Sequence, residues 1–418
     1  MNNSLRLGVL IAFAGFAAAP LARADDSDLN QRLERLEQQV QALKQQINDR
    51  ELESSLSPAG RPDTISRLGS GSAAWPPTSG GNDGVEVKAH GFIKLDGIYD
   101  FHGVGNRDQF VTASIPTRGG GGDDHFGFHA KQSRIGVEIL DHDSDSRGAL
   151  EVDWFGSSDG YELQLRHAYF QVSRLYAGYG FSNFMDIDAF PDTLDNEGPG
   201  ASAYRLQAGV LYRQPLGEHN ALLFSLEDPD TELYGGNGEN SAPDLVVAYK
   251  NENDRGHLKL SLVGRRLSDG SDSRLVAAAG LTGTVALAGQ TLSFGGYTGE
   301  GFAHYLSDVS DSGYDAVVDG DGDVEPLRAS GGYLGVTHPW SDRLRSTWVA
   351  GSLRLERNAL LAGDEFRASR YGSANLVWDY NDRLTTGIEV LRGRNQDQQG
   401  ETGYATRVQA SLTYVFLK

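Results

Sequence analysis

The chain has 418 residues, no cysteine and a formal net charge of −20. The lack of cysteine excludes a disulfide-bonded scaffold, and the acidic balance argues against nucleic acid or a bare anionic surface as a partner. Glycine is abundant and the aromatic residues are mostly Tyr and Phe, a composition that suits turns and membrane-interface girdles better than a helical enzyme.

Three segments precede the main body of the chain. Residues 1–24 have a basic start, an apolar run and a small-residue cleavage motif, which predicts a secretory signal peptide. A membrane anchor is the alternative, but the run is shorter than the roughly 20 residues that a spanning helix needs. In residues 25–53 apolar residues recur at alternating spacings of four and three, which predicts a periplasmic coiled coil or a lone amphipathic helix on a barrel or membrane. Residues 54–84 are a predicted flexible linker.

From residue 85 the hydrophobic pattern has the period of β-strands, with one apolar and one polar face. The sequence contains about sixteen such runs, among them 85–101, 126–141, 161–172 and 404–416. Short connections alternate with long ones, the long ones being 102–125, 181–203, 228–243 and 300–328. Bacterial barrels have an even number of strands, short periplasmic turns and longer external loops. Residues 85–418 are therefore predicted to form an all-β, transmembrane antiparallel β-barrel, preceded by the short α-helical coiled coil.

The loop 181–203 is too long for a routine connection, and loops of this length are usually functional. We expect it to fold into the pore. It follows the predicted strand 175–180, which a two-residue turn joins to the strand 161–172, where Arg166 lies on the polar face and His167 and Tyr169 lie on the apolar face. Its acidic residues are Asp186, Asp188, Asp192, Asp195 and Glu197. Opposite basic side chains they would set a transverse field across a narrowed pore. Calcium binding is the alternative, although the spacing is not that of a calcium loop.

Basic residues on the polar parity are predicted to line the lumen. They are Lys94, Arg166, Arg265 and Arg407, with Lys131, Arg134 and Arg205 added because they flank parity switches or loop ends. A guanidinium group suits carboxylate ligands because its planar donor fork matches two oxygens. The alternative for any single residue is that it pairs with lumen acids and braces the wall.

No catalytic residue, metal or cofactor is predicted. Asp319–Asp323 resembles the start of an EF-hand, but Val324 holds the place of the required Gly and Ser330 that of the terminal Glu. The histidines are scattered and no nucleophile elbow, zinc-protease or phosphate-loop motif occurs. A solvated acidic loop is the favoured interpretation of 319–323, and an enzyme is disfavoured.

Several stretches together resemble the DcaP-like trimeric outer-membrane porins. They are GFIKLDGIYDF at 91–101, HAKQSRIGVE at 129–138, LRHAYF at 165–170, AGYGFSNFMDIDAFPDTLDNEGP at 177–199, LRSTW at 344–348 and RVQASLTYVF at 407–416. The resemblance implies a sixteen-stranded barrel, a homotrimer in the bacterial outer membrane, and diffusion of small dicarboxylic and related anions through an arginine-lined constriction.

The favoured function is thus passive diffusion of small organic anions, with outer-membrane lipid and those solutes as partners. One alternative is a general, weakly cation-preferring porin in which the acidic loop dominates. The other is an envelope tether in which residues 25–53 contact a periplasmic partner.

Overall fold

The computed structural model describes residues 84–119, 122, 124–157 and 160–417. The predicted signal peptide, the coiled coil and all of the linker except Gly84 lie outside the described residues and stay predictions. Within the described ranges, no helix is long and apolar enough to cross a membrane.

Strands make up most of the described chain. In chain order they are β1 Val85–Phe101, β2 His125–His129, β3 Arg134–Asp141, β4 Ser146–Asp153, β5 Gln164–Val172, β6 Leu175–Phe181, β7 Leu206–Pro215, β8 Asn220–Glu227, β9 Leu233–Tyr234, β10 Asp244–Asn253, β11 Gly256–Ser268, β12 Ser273–Leu287, β13 Gln290–Glu300, β14 Ala316–Val318, β15 Val324–Pro326, β16 Arg328–Ser341, β17 Leu344–Leu355, β18 Phe366–Asp379, β19 Leu384–Asp397 and β20 Thr402–Leu417. Short 3-10 helices lie at Thr112–Ser114, Ile187–Ala189 and Ala303–Tyr305.

The main sheet closes on itself as an antiparallel barrel. Seventeen of these strands form one sheet, in which β1 pairs with β20. β2 and β3 pair with opposite ends of β1, so they share one position in the ring. The wall therefore has sixteen strand positions, which confirms the predicted fold class. β9, β14 and β15 form a separate three-stranded sheet.

One predicted strand is interrupted. The sequence predicts a continuous strand over 126–141, but the chain turns between β2 and β3. There the Ser133 N–H donates to the Ala130 carbonyl at 3.1 Å, and the Ser133 hydroxyl accepts the Lys94 N–H at 3.0 Å. Lys131 consequently sits in this turn and not on a strand face.

The wall has two chemically different faces. Along β11, Leu258, Leu260 and Leu262 point outward and are 41%, 47% and 53% exposed, whereas the residues between them are buried in the barrel. β20 alternates in the same way, with Arg407 buried inside and Tyr404 exposed outside, as predicted. An apolar outer face and a polar inner face are what a barrel spanning a bilayer requires.

A β-bulge at Arg166 changes which residues of β5 point into the barrel. Glu151 pairs with His167 and the next residue of β4 pairs with Leu165, so Arg166 is the extra residue between them. A bulge opposes two residues of one strand to one residue of its partner. Accordingly Arg166 and His167 are both buried, whereas Leu165 is exposed. The prediction that His167 and Tyr169 share the outward face with Leu165 is wrong, because the bulge reverses the parity.

The hydrophobic core lies inside the barrel. Phe184 and Phe302 are fully buried with their ring centroids 6.1 Å apart. Phe110 is also fully buried, 6.2 Å from the ring of Tyr371, and belongs to a cluster with Leu391. Because the wall turns its apolar side chains to the membrane, apolar residues of the loops pack in the lumen.

Three long connections contribute to this interior core. From the sequence we expected only 181–203 to fold inward and assigned 102–125 and 300–328 to external loops. In the structure Phe110 and Phe302 carry parts of these two connections into the lumen. The prediction missed this because sequence periodicity describes the wall and carries no information on where a connection packs.

Candidate channel constriction

Residues 182–205, between β6 and β7, form what we call the constriction loop. The loop leaves the wall after Phe181 and reaches strands farther round the barrel. There the Lys259 ammonium donates to the Met185 carbonyl at 2.7 Å, and the Ser261 hydroxyl donates to the Phe184 carbonyl at 3.2 Å. The loop therefore lies inside the barrel and not above it.

Asp186 is the charged anchor of the first half of this loop. Its carboxylate accepts hydrogen bonds from the Thr282 hydroxyl at 2.6 Å and from His257 Nε2 at 2.9 Å. Burial alone would raise the pKa of Asp186, but the His257 hydrogen bond and the Lys259 ammonium hold that pKa well below its ordinary value. Asp186 therefore stays ionised and ties the loop to β11 and β12.

The second half is fixed to β17 and β19. Arg345 Nε donates to the Asp192 carboxylate at 2.5 Å. The backbone N–H groups of Leu194 and Asp195 donate to one oxygen of Glu389 at 2.7 and 2.9 Å. Because both halves are held by inward-facing side chains, the loop is a fixed partition across the lumen.

An opening remains between this partition and the wall of β1, β3 and β5. The cavity there has a volume of about 90 Å³, which is room for several water molecules. It is lined by the basic residues Lys94, Arg134, Arg166 and Arg345, the acids Asp192 and Asp195, and the aromatic residues Phe92, Phe181, Phe190 and Tyr204. This cavity is the candidate constriction.

Arg166 contacts two carboxylates and a tyrosine hydroxyl at the cavity. Its guanidinium donates to Asp153 at 2.8 Å and to the Tyr204 hydroxyl at 2.8 Å, and its Nε lies 3.4 Å from Glu151. The β-bulge places this side chain on the inner face, and the two carboxylates orient it from behind.

The positive charge of Arg134 is much less compensated by nearby carboxylates. Its closest carboxylate contact is Glu151, 3.9 Å from Nη1, and its guanidinium lies over the Phe92 ring at 5.7 Å. Its Nε is buried and has no hydrogen-bond partner among the described residues. A buried donor of this kind favours a ligand that accepts hydrogen bonds.

Lys94 links the wall to the partition. Its ammonium donates to the Leu194 carbonyl of the constriction loop at 2.5 Å and lies 3.2 Å from Asp96. It also donates to the Gln132 side chain. The position of Lys94 next to the loop is therefore fixed from both sides.

The charges that face the cavity are unequal. Four cationic side chains line it against two carboxylates. Four more carboxylates pair with these cations from behind and do not line the cavity, namely Asp96, Glu151, Asp153 and Asp379. Since Coulomb energy falls with distance, a solute in the cavity experiences the guanidinium groups more strongly than the carboxylates behind them. The site is suited to pass or bind small anions.

Arg265 does not belong to this site. It is buried and donates to Asp244 at 2.8 Å, to Asp315 at 2.7 Å and to the carbonyl oxygens of Gly301 and Pro229 at 2.5 and 2.6 Å. The connections 228–243 and 301–327 close over it. It points inward, but all of these contacts brace the interior.

Three other predicted cations also lie outside the cavity. Arg407 is buried against Asp100 and against Asp195 at 3.4 Å. The Arg205 guanidinium lies among Asp230, Glu232 and Asp311, and the Lys131 ammonium lies 2.5 Å from Asp108. Each supports loop structure, so of the seven predicted cations the structure brings three together at the cavity, namely Lys94, Arg134 and Arg166.

The acids of the constriction loop are divided in the same way. Asp192 and Asp195 line the cavity, whereas Asp186 is turned to the wall and Asp188 pairs with Lys250 at 3.1 Å. Glu197 Oε1 is buried without a partner among the described residues. Burial, followed by the carboxylates of Asp308 and Asp195, raises the pKa of Glu197 well above 4.5.

Arg345 and Tyr204 are two of the lining residues that were not predicted from the sequence. Arg345 follows the short turn before β17 and shares the inward parity of Thr347 and Val349, so the alternation rule could have found it. Tyr204 lies at the end of the constriction loop, where no periodicity applies, and its role depends on its hydrogen bond from Arg166.

The acidic stretch Asp319–Asp323 does not present converging side chains. The Asp319 carboxylate accepts the N–H groups of Asp321 and Asp323 at 2.9 Å each, which closes a turn. In the described part of the chain, the acids whose oxygens lie within 4.8 Å of one another are Asp230, Glu232 and Asp311, and Arg205 already occupies the space among them.

Comparisons with known proteins agree with this architecture. The outer membrane channel DcaP of Acinetobacter baumannii superposes with a TM-score of 0.73 at 21% identity, over 81% of this chain and 100% of that one. An anion-selective porin from Comamonas acidovorans gives a TM-score of 0.55 at 13% identity, over 79% and 100%. Salmonella typhi OmpF in complex with daunomycin gives 0.55 at 10% identity, over 80% and 99%. At these identities the likeness establishes the fold.

The sequence itself identifies the family. No curated protein sequence matches the chain significantly, but the family model described as DcaP outer membrane protein matches residues 16–416. Membership places the barrel in the bacterial outer membrane and confirms the resemblance seen in the motifs. The chain belongs to the DcaP outer membrane protein family.

Proposed function

We propose that this barrel is a channel for passive diffusion of small organic anions. The observation that carries the proposal is the cavity charge, with Lys94, Arg134, Arg166 and Arg345 facing the opening against two carboxylates. The unpartnered Nε of Arg134 adds a donor that an anionic oxygen can use. The solved anion-selective porin with the same fold is consistent with this function.

Dicarboxylates are the solutes that the arrangement favours most. Arg166 on β5 and Arg345 on β17 come from strands seven positions apart in the ring of sixteen, so cations reach the cavity from nearly opposite sides. A solute with a carboxylate at each end can contact both sides, whereas a monocarboxylate contacts one. The aromatic side chains of Phe92 and Phe190 suit the hydrocarbon between the two carboxylates.

The placement of the loop acids disfavours the cation-preferring alternative. Asp186 and Asp188 are held against the barrel wall by His257 and Lys250, so they add no free negative charge to the cavity. Asp192 is neutralised locally by Arg345. A cation-preferring pore would need Asp186 and Asp188 to face the permeating solute as well as Asp192 and Asp195.

We further propose that three copies of the chain associate, and that residues 25–53 contribute a periplasmic contact. The family resemblance and the exposed apolar outer wall support the association. Mass determination of the detergent-solubilised protein should give three chains per particle, and a monomer mass would contradict it. Deleting residues 25–84 should leave conductance unchanged if this segment acts only as a periplasmic contact.

Solute flux tests the proposed function. In liposome swelling, succinate should enter faster than a neutral solute of similar size through the wild-type channel. The double substitution Arg134→Ala and Arg166→Ala should remove that advantage. Arg266→Ala is the matched control, because Arg266 is exposed on β11 and donates to the Ser273 hydroxyl among the described residues. Equal succinate and neutral-solute rates in the wild type would contradict the proposal.

A further inference from the structure

A cluster of arginines lies on the outer face of the barrel, away from the channel. Arg354 on β17, Arg370 on β18 and Arg392 on β19 are exposed, and Arg367 and Arg394 beside them are half-buried. Each exposed member alternates along its strand with buried inward residues, such as Tyr371 after Arg370 and Leu391 before Arg392. The cluster, which we call the outer arginine patch, therefore faces the membrane side of the wall.

The pairing register brings these charges close together. Arg370 on β18 lies directly opposite Arg394 on β19, and Arg392 is opposite the neighbouring Gly372. Arg354 is opposite Ala368 on the same sheet face. Like charges directly opposite in a sheet destabilise it, so this arrangement calls for a compensating anion.

The described residues supply little of that negative charge. In the part of the chain that the structure describes, none of the five arginines forms an ion pair with a carboxylate. Arg392 donates to Thr406 at 2.5 Å and lies over the Tyr404 ring at 5.4 Å. Arg367 Nη1 and Arg394 Nε are buried with no hydrogen-bond partner among the described residues. Glu356, just beyond β17, accepts the Arg328 N–H at 2.9 Å and acts on Arg367 through its charge without forming an ion pair.

The position of the patch along the barrel axis shows which part of the membrane surrounds it. Seven turns at the opposite end of the barrel are two to four residues long, and the longest connections follow the patch end of the strands, so the patch lies toward the external leaflet. Along β19 the outward Ile388 and Val390 are exposed apolar residues, and Arg392 comes next. Arg394 is opposite Tyr404, an aromatic residue suited to the interface. The patch therefore sits where apolar tails give way to headgroups.

We propose that the outer arginine patch binds the phosphate groups of a phosphorylated lipid in the external leaflet. Guanidinium groups bind phosphate oxygens in pairs with fixed geometry, and two adjacent arginines can hold one phosphate between them. The outward wall meets acyl chains just below the patch, so a lipid satisfies both the apolar band and the arginines, which a free phosphate does not. The lipid relieves the repulsion between Arg370 and Arg394.

Binding of lipid A to the full-length channel in detergent tests this site. The probes are bisphosphorylated lipid A and the same lipid without phosphate, titrated at low and high salt. The wild type should prefer the bisphosphorylated lipid, and that preference should fall as salt rises. With each basic residue near an anionic surface contributing about a fivefold factor, Arg370→Gln together with Arg394→Gln should weaken binding roughly 25-fold.

Two further variants keep the outcome decisive. Arg370→Lys with Arg394→Lys should retain more affinity than the Gln pair because the charge is kept. Arg266→Gln should bind like the wild type because Arg266 is exposed at the same end of β11, outside the patch. Equal wild-type affinity for the two lipids overturns the proposal. Wild-type affinity of the double Gln variant also overturns it. A double Gln variant whose only defect is loss of association between chains overturns it too, because that result assigns the patch to contact with a second copy of the chain.

Discussion

Arg265 and the pair Arg134 and Arg166 are all inward-facing arginines of one barrel, yet their surroundings differ completely. Arg265 donates to two carboxylates and two carbonyl groups and is sealed by loops. Arg134 and Arg166 line an open cavity, and Arg134 keeps an unpartnered Nε. The difference shows that inward parity does not make an arginine functional. Whether such an arginine stabilises the fold or can contact a solute depends on the groups that surround its guanidinium.

The largest expected effect comes from the sealed arginine. Arg265→Ala leaves Asp244 and Asp315 buried without their partner, and breaking a buried ion pair in this way costs about 3–5 kcal/mol. Urea unfolding of the refolded protein should show this loss of the free energy of unfolding. In the folded fraction the anion preference should equal that of the wild type. A stable Arg265→Ala protein that has lost its anion preference would reverse the comparison.

Substitutions of Arg345 and Asp192 should change the anion-to-cation permeability ratio in opposite directions. Arg345→Ala removes one of the cavity's cations and frees the Asp192 carboxylate, so the anion-to-cation permeability ratio should fall, by about twofold or more. Asp192→Asn removes the negative charge and should raise the ratio. Zero-current potentials in a salt gradient measure both. If both variants shift the potential in the same direction, the effect comes from loop displacement and not from charge.

The protonation of Glu197 gives a pH test of the constriction loop. Because burial raises the pKa of Glu197 above 4.5, its contribution to stability is complete below about pH 4.5 and is lost as pH rises through the raised value. Glu197→Gln should therefore match the wild type in acid and become the more stable protein at higher pH. Urea unfolding across this range measures the difference, and parallel curves would contradict it.

The smallest effect is expected at the partly exposed anchor of the loop. Lys250 and Asp188 are ion-paired at 3.1 Å with side chains 23% and 29% exposed, and such pairs contribute about 1 kcal/mol or less. Asp188→Asn should change unfolding and permeability little. Asp186→Asn, its buried counterpart, should cost more, because Asp186 accepts bonds from His257 and Thr282. Equal losses in the free energy of unfolding for the two substitutions would contradict the expectation that the buried anchor contributes more to stability than the partly exposed one.

The wall was predictable from the sequence, and most of the interior was not. Alternation located strands such as 85–101 and 404–416, because each face meets a different solvent along its whole length. It failed at Arg166, where one extra residue reverses the parity of His167 and Tyr169. The sealing of Arg265 depends on connections whose packing is set by long-range contacts, for example between Phe302 and Phe184, and these leave no local pattern. Arg345 obeyed the pattern and was overlooked.

The central claim is that Arg134 and Arg166 give the channel its preference for anions. The zero-current potential of the reconstituted full-length protein in a tenfold potassium chloride gradient tests it most directly. The wild type should be anion-selective, and Arg134→Ala with Arg166→Ala should move the potential toward cation selectivity while Arg266→Ala leaves it in place. A cation-selective wild type, or an anion preference unchanged in the double variant, would contradict the account.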